Sequence, residues 1–181
     1  MRVLSQPTPN PKALKFLCEK TMREGNKINI ESIEECLMVP LASELFQLPG
    51  VVSLHFFQNS ITVNIDENHT WEELEGKITK VIENLGDDHD PNFKLPKEEK
   101  IAAKQYTGDL KTIDEILSRT IRPSLQMDGG DLEIVSFEDK VLTVSYEGAC
   151  TSCPSAISGT LMAIQGILQD EFDPEIEVIS A

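Results

Sequence analysis

The stretch from Asp87 to Thr107, DDHDPNFKLPKEEKIAAKQYT, carries Pro91 and Pro96, and its residues 89–107 hold 4 basic against 3 acidic side chains inside an acidic chain. It shows no apolar periodicity, so it offers no face to a core and reads as a linker. The 181 residues therefore divide into two small domains. At about 3.3 Å per residue the segment spans up to ~70 Å when extended, which predicts flanking domains that move independently. Within it, KEEKIAAK (97–104) is compatible with a short helix. The expected organisation is a first domain over residues 1–88, a flexible linker over 89–107 and a second domain over 108–181.

Charge and cysteine usage narrow the function classes. The formal charge of −15 would repel a polyanion instead of releasing counterions, which argues against nucleic acid as a partner. Residues 108–181 hold 14 acidic against 4 basic side chains, so the excess is greatest in the second domain. The apolar stretches are broken by charges well before the roughly 20 residues a membrane span needs. The opening MRVLSQPTPNPK has no signal-peptide core, which predicts a soluble protein of the bacterial cytoplasm, or of the mitochondrion if the chain is a processed form. Four cysteines are too sparse for a disulfide scaffold, and in a reducing compartment they remain thiols able to bind metal.

Both halves read as α+β. In the first, Ala13–Cys18 and Ile28–Ile30 have strand character, and Pro40–Leu48 forms a helix stopped by Pro49-Gly50. A hairpin follows, with Val51–Phe57 and Ile61–Ile65 joined by Gln58-Asn59-Ser60 and with one face buried. Thr70 then opens a helix with a capping box completed by Glu73. Its stripe, Trp71, Leu74, Ile78, Val81, Ile82 and Leu85, covers the hairpin. In the second half, Leu110, Ile113, Ile116, Leu117, Ile121 and Leu125 fall at helical spacing, with a break or kink at Pro123. Gly129-Gly130 turns the chain into a hairpin of Leu132–Phe137 and Val141–Tyr146 around Glu138-Asp139. Pro154 opens a helix whose stripe runs from Ile157 through Leu161, Ile164, Ile167 and Leu168 to Phe172, and Ile176–Ile179 ends the chain as a strand. The second domain is predicted to be αββαβ.

The chemistry concentrates at Cys150-Thr151-Ser152-Cys153-Pro154, where a strand is expected to feed an exposed helix N-terminus. Unpaired backbone N–H groups and the helix dipole favour thiolates there. Two thiolates leave a tetrahedral zinc site or a cubane cluster two ligands short. The three histidines, His55, His69 and His89, all precede residue 107. A two-fold pairing of chains, each offering Cys150 and Cys153, completes the set most economically. The spacing also suits two other classes: a thiol–disulfide oxidoreductase with Cys150 as nucleophile and Cys153 as resolving thiol, and a structural zinc-bridged dimer. The late position of the pair in an αββαβ order counts against the oxidoreductase.

The neighbouring residues add specificity. Ile121-Arg122-Pro123-Ser124-Leu125-Gln126-Met127-Asp128-Gly129-Gly130-Asp131, followed by Gly148-Ala149-Cys150-Thr151-Ser152-Cys153-Pro154-Ser155, resembles the C-terminal domain of NifU, the Nfu family. Pro7-Thr8-Pro9-Asn10-Pro11 with Leu14-Lys15-Phe16, Leu45-Phe46 and Gly50-Val51 resembles the Nfu N-terminal domain. This resemblance implies a carrier, not an enzyme. It would bind a [4Fe–4S] cluster between two protomers through Cys150 and Cys153, receive it from cluster assembly proteins and pass it to apo iron–sulfur proteins. Thr151-Ser152 departs from many relatives, which often have Gly before the second cysteine. The remaining candidates read as structural: Cys18 and Cys36 as packing residues, Gly129-Gly130 as a helix stop, Asp128 and Asp131 as turn and cap formers, and Trp71 and the histidines as packing or surface groups.

Overall fold

The computed structural model describes residues 1–95, 107–151 and 159–181. It is α+β, with two separate sheets. The reading of residues 97–104 as a helix, and those made for Cys153, Pro154 and Ile157, lie outside the described residues.

The first sheet holds β1 (Val3–Pro7), β2 (Ala13–Cys18), β3 (Arg23–Ile30), β4 (Val51–Gln58) and β5 (Ser60–Ile65), in the spatial order β1-β2-β5-β4-β3. Every pairing in it is antiparallel. Two helices, α1 (Pro40–Phe46) and α2 (Trp71–Leu85), cover one face. Leu41 and Leu45 of α1 and Leu74, Ile78 and Ile82 of α2 join Phe16, Leu54, Phe56, Ile61 and Val63 in one buried core. The predicted stripe of α2 is therefore the packed one. Its capping box is absent: Thr70 makes no side-chain cap bond, and the backbone N–H of Glu73 instead reaches the Thr70 carbonyl at 3.3 Å.

Three elements differ from expectation. β1 is an additional strand, added at the sheet edge through β2. β5 is buried on both faces, since all six of its residues are covered. Residues 89–95, read as the start of the linker, pack on the first domain. Phe93 and Leu95 are buried in its core, Phe93 lies edge-on to Phe56 with centroids 5.4 Å apart, and the Arg23 guanidinium bonds the Phe93 carbonyl. Two apolar side chains in a polar run are too few to show as a period, yet they suffice to pin the segment.

The second sheet has the order β6-β7-β8, with β6 (Gly130–Glu138) antiparallel to β7 (Val141–Gly148) and β8 (Glu177–Ser180) parallel to β7. Two helices precede it, α3 (Asp109–Thr120) and α4 (Arg122–Met127), the break falling at Ile121 as Pro123 requires. The hairpin turn lies at Asp139-Lys140, one residue later than expected, and both residues have positive φ (48° and 66°), as a two-residue type I′ turn demands. α5 (Leu161–Glu171) returns the chain to β8. Ile113, Leu117, Leu132, Ile134, Leu142, Val144, Ile164 and Leu168 form the second core. Because β7, α5 and β8 make a parallel crossover, Cys150 falls at the first turn of a βαβ unit. The topological objection to a thiol–disulfide enzyme therefore does not hold.

Candidate functional site

Cys150 lies two residues past the end of β7 in a tight turn. Its N–H donates to the Glu147 carbonyl at 3.3 Å, the Thr151 N–H to the Gly148 carbonyl at 3.2 Å, and the Ala149 N–H to the Gly129 carbonyl at 3.1 Å. Gly129 (φ +82°) and Gly148 (φ +61°) occupy backbone conformations costly for any residue with a Cβ. The Gly129-Gly130 pair therefore does more than stop a helix: it docks the turn that carries the cysteine.

The expected exposure of Cys150 is not observed. Its side chain is 5% exposed and belongs to the second core. The sulfur lies against Gly130, where an added Cβ would stand 2.4 Å from Sγ. The sulfur is packed inward, not presented to solvent. Nearby Tyr146 is also buried, and burial together with the neighbouring Cys150 raises its phenol to about 12, so Tyr146 remains a neutral hydroxyl.

Cys18 and Cys36 are buried in the first core, at 4% and 0% exposure. Burial raises the Cys18 thiol to about 12. Burial, reinforced by Glu35 and Glu34, raises that of Cys36 to about 11. Both remain thiols at neutral pH, as packing residues should. Among the described residues, no three His, Cys, Asp or Glu side chains are grouped to hold a metal ion.

The residues that sequence reasoning missed surround Cys150 from the first domain. Asn64 Nδ2 donates to the Gly148 carbonyl at 3.0 Å, and Asn10 Nδ2 donates to the Ala149 carbonyl at 2.9 Å. Lys27 Nζ lies 2.7 Å from Glu147 and 3.2 Å from Asp131. Asp131 is not a turn former. It is 1% exposed, pairs also with Arg122 at 3.2 Å, and accepts a bond from Gln126 at 2.9 Å. Burial alone would raise its carboxyl, but Lys27, Gln126, the Leu132 N–H and Arg122 together hold it below the ordinary value. His55 is buried beside Gly148, and burial, with Lys27 and Lys15 nearby, lowers its imidazole to about 3. The one signal in the sequence was the run Ser60, Thr62, Asn64 opposite the apolar set of β5, which resembles any solvated face.

Comparison with known proteins matches both halves. Residues 3–88 match the family "Scaffold protein Nfu/NifU N terminal" and residues 113–179 the "NifU-like domain". The human NFU1 iron-sulfur cluster scaffold homolog, mitochondrial, is 34% identical over 183 residues, covering 98% of this chain and 70% of that protein. The Drosophila grimshawi protein of the same name is 31% identical over 98% of this chain, which spans 60% of its length. A solution structure of a NifU-like protein from Saccharomyces cerevisiae aligns with 28% identity and a TM-score of 0.44, over 49% of this chain and 80% of that one. With both domains matched in order and the human relative similar along nearly the whole sequence, the chain belongs to the Nfu family of iron–sulfur cluster scaffold proteins.

Proposed function

We propose that this protein carries a [4Fe–4S] cluster on Cys150 and Cys153, held jointly with a second copy of the chain, and passes it to apo-proteins. The observation that carries this reading is the Cys150 turn itself. A soft donor stands at a strand end, and among the described residues no His or acidic group is gathered to complete a four-ligand centre. Two chains related by a two-fold axis supply the missing thiolates. A site divided between two chains opens when they part, which suits a cargo.

Transfer follows as ligand exchange at iron. An acceptor's thiol gives up a proton as it binds, and the departing cysteine takes one up, so neither electrons nor net protons change hands. Donors of the cluster are assembly proteins and acceptors are apo iron–sulfur proteins. By likeness to relatives named as mitochondrial, the compartment is a reducing one, either mitochondrion or bacterial cytoplasm.

A thiol–disulfide oxidoreductase is the second reading, favoured by the position of Cys150 at the head of the β7–α5–β8 unit. Anaerobic reconstitution of the wild type and Cys150→Ser separates the two. A carrier yields brown protein with about four irons per two chains and loses iron in the variant. An oxidoreductase stays colourless and cycles a disulfide between Cys150 and Cys153, while stoichiometric zinc would mark a structural dimer.

A further inference from the structure

The first domain has an apolar sheet face under its helices and a polar face on the other side. Antiparallel sheets of this kind commonly leave the polar face in water. Here Lys15 of β2, Ser53 and His55 of β4, and Thr62 and Asn64 of β5 are all buried, because the second domain lies on them. Besides the ion pairs of Lys27 with Asp131 and Glu147, the bonds across this junction run to main-chain carbonyls. Lys15 Nζ reaches Gln126 O at 2.9 Å and Met127 O at 3.3 Å, and Lys27 Nζ reaches Leu132 O at 2.7 Å. Asn64 and Asn10 take the carbonyls of Gly148 and Ala149. The carbonyls held belong to Gln126, Met127 and Leu132 and to Gly148 and Ala149, in the two segments that frame Cys150.

The approach is close. A Cβ on Gly129 would stand 2.8 Å from Thr62 Oγ1, and one on Gly148 would stand 3.0 Å from His55 Cγ. The two glycines thus admit the first domain as well as shaping the cysteine turn. The contact is also imperfect. Among the described residues, His55 Nδ1, Thr62 Oγ1 and Asn64 Oδ1 are buried without a hydrogen-bond partner. Each buried polar atom left unpaired lowers the net stability of the docked arrangement.

We propose that the polar sheet face of the first domain is an intramolecular cap on the Cys150 turn, and that it must lift before a second copy can share a cluster there. Where loading is concerned, this rests on the reading of Cys150 and Cys153 as shared ligands. Capped, the turn is pinned at Gly148 and Ala149 and the sulfur is turned inward. Uncapped, the turn is free to present its thiolates to another chain, and the polar face of the first domain becomes available to other proteins.

Lys27 offers the test, because reversing its charge sets it against both Asp131 and Glu147. Alkylation of each cysteine in the full-length chain is followed by peptide mapping, with Cys18 and Cys36 reporting that the first core stays folded. The cap predicts that Cys150 labels about tenfold faster in Lys27→Glu and in Asn64→Ala, with Cys18 and Cys36 unchanged. It also predicts that Lys27→Glu with Glu147→Lys returns labelling towards wild type. Equal labelling of Cys150 in wild type and both single variants overturns the cap. Iron uptake by the same proteins is a separate readout: faster loading in the single variants supports gating, and equal loading despite faster labelling contradicts it. If no protein takes up iron, the carrier reading falls while the labelling rates still decide the cap.

Discussion

The ammonium of Lys27, on the third strand of the first domain, stands 2.7 Å from the carboxylate of Glu147, three residues before Cys150. The same ammonium is 3.2 Å from Asp131, so one lysine joins the first domain to both strands of the second-domain hairpin.

Asp131 is the centre of that charge network, with Lys27 and Arg122 as partners and almost no exposure. Removing one member of a buried ion pair leaves uncompensated charge and typically costs about 3 kcal/mol. Asp131→Ala is therefore expected to lower the stability of the second domain by about that amount. Urea unfolding followed by far-ultraviolet circular dichroism checks it, and a shift under about 0.5 kcal/mol would show the pair to be dispensable.

The docking of the two domains should depend on pH through His55. Its imidazole is held neutral by burial, aided by Lys27 and Lys15 and opposed by Asp131. Because docking lowers its pKa, the undocked state binds the extra proton. Docking is fully favourable above the ordinary histidine value of about 6.5 and weakens as pH falls below it, approaching tenfold per pH unit. Asp131, held below its ordinary value, stays ionised through that range, so it does not oppose the trend at its start. Small-angle scattering between about pH 7.5 and 5 should show the chain expanding, and His55→Gln should flatten the response.

The first domain extends past residue 88 in structural terms. Phe93 packs on Phe56 and His89, and its replacement by alanine should cost about 3 kcal/mol. A fragment of residues 1–95 should accordingly melt well above one of residues 1–88, measurable by calorimetry. Equal melting temperatures would return residues 89–95 to the linker.

Much of this architecture was legible because periodicity reports burial on one face. The α2 stripe, the β4–β5 hairpin, the break at Ile121 and the packing of Cys18 and Cys36 all follow from local pattern. What the pattern cannot show is what covers a polar face. Thr62 and Asn64 fall opposite the apolar set of their strand with nothing nearby in sequence to cover them, and Asp131 reads as a turn former, because their partners are distant in sequence: Asn64 and Gly148 are 84 residues apart. The inward sulfur of Cys150 was hidden for a similar reason. A strand-end cysteine looks exposed until the small residue beneath it, Gly130, is placed.

The shared-cluster account meets its most direct test in native mass spectrometry of the anaerobically reconstituted full-length chain. It predicts a species of two chains with four irons and four sulfides, lost in Cys150→Ser and in Cys153→Ser but retained in Cys18→Ala and Cys36→Ala. A single chain that holds its own complete cluster, or a two-chain species that survives loss of Cys150, would contradict it.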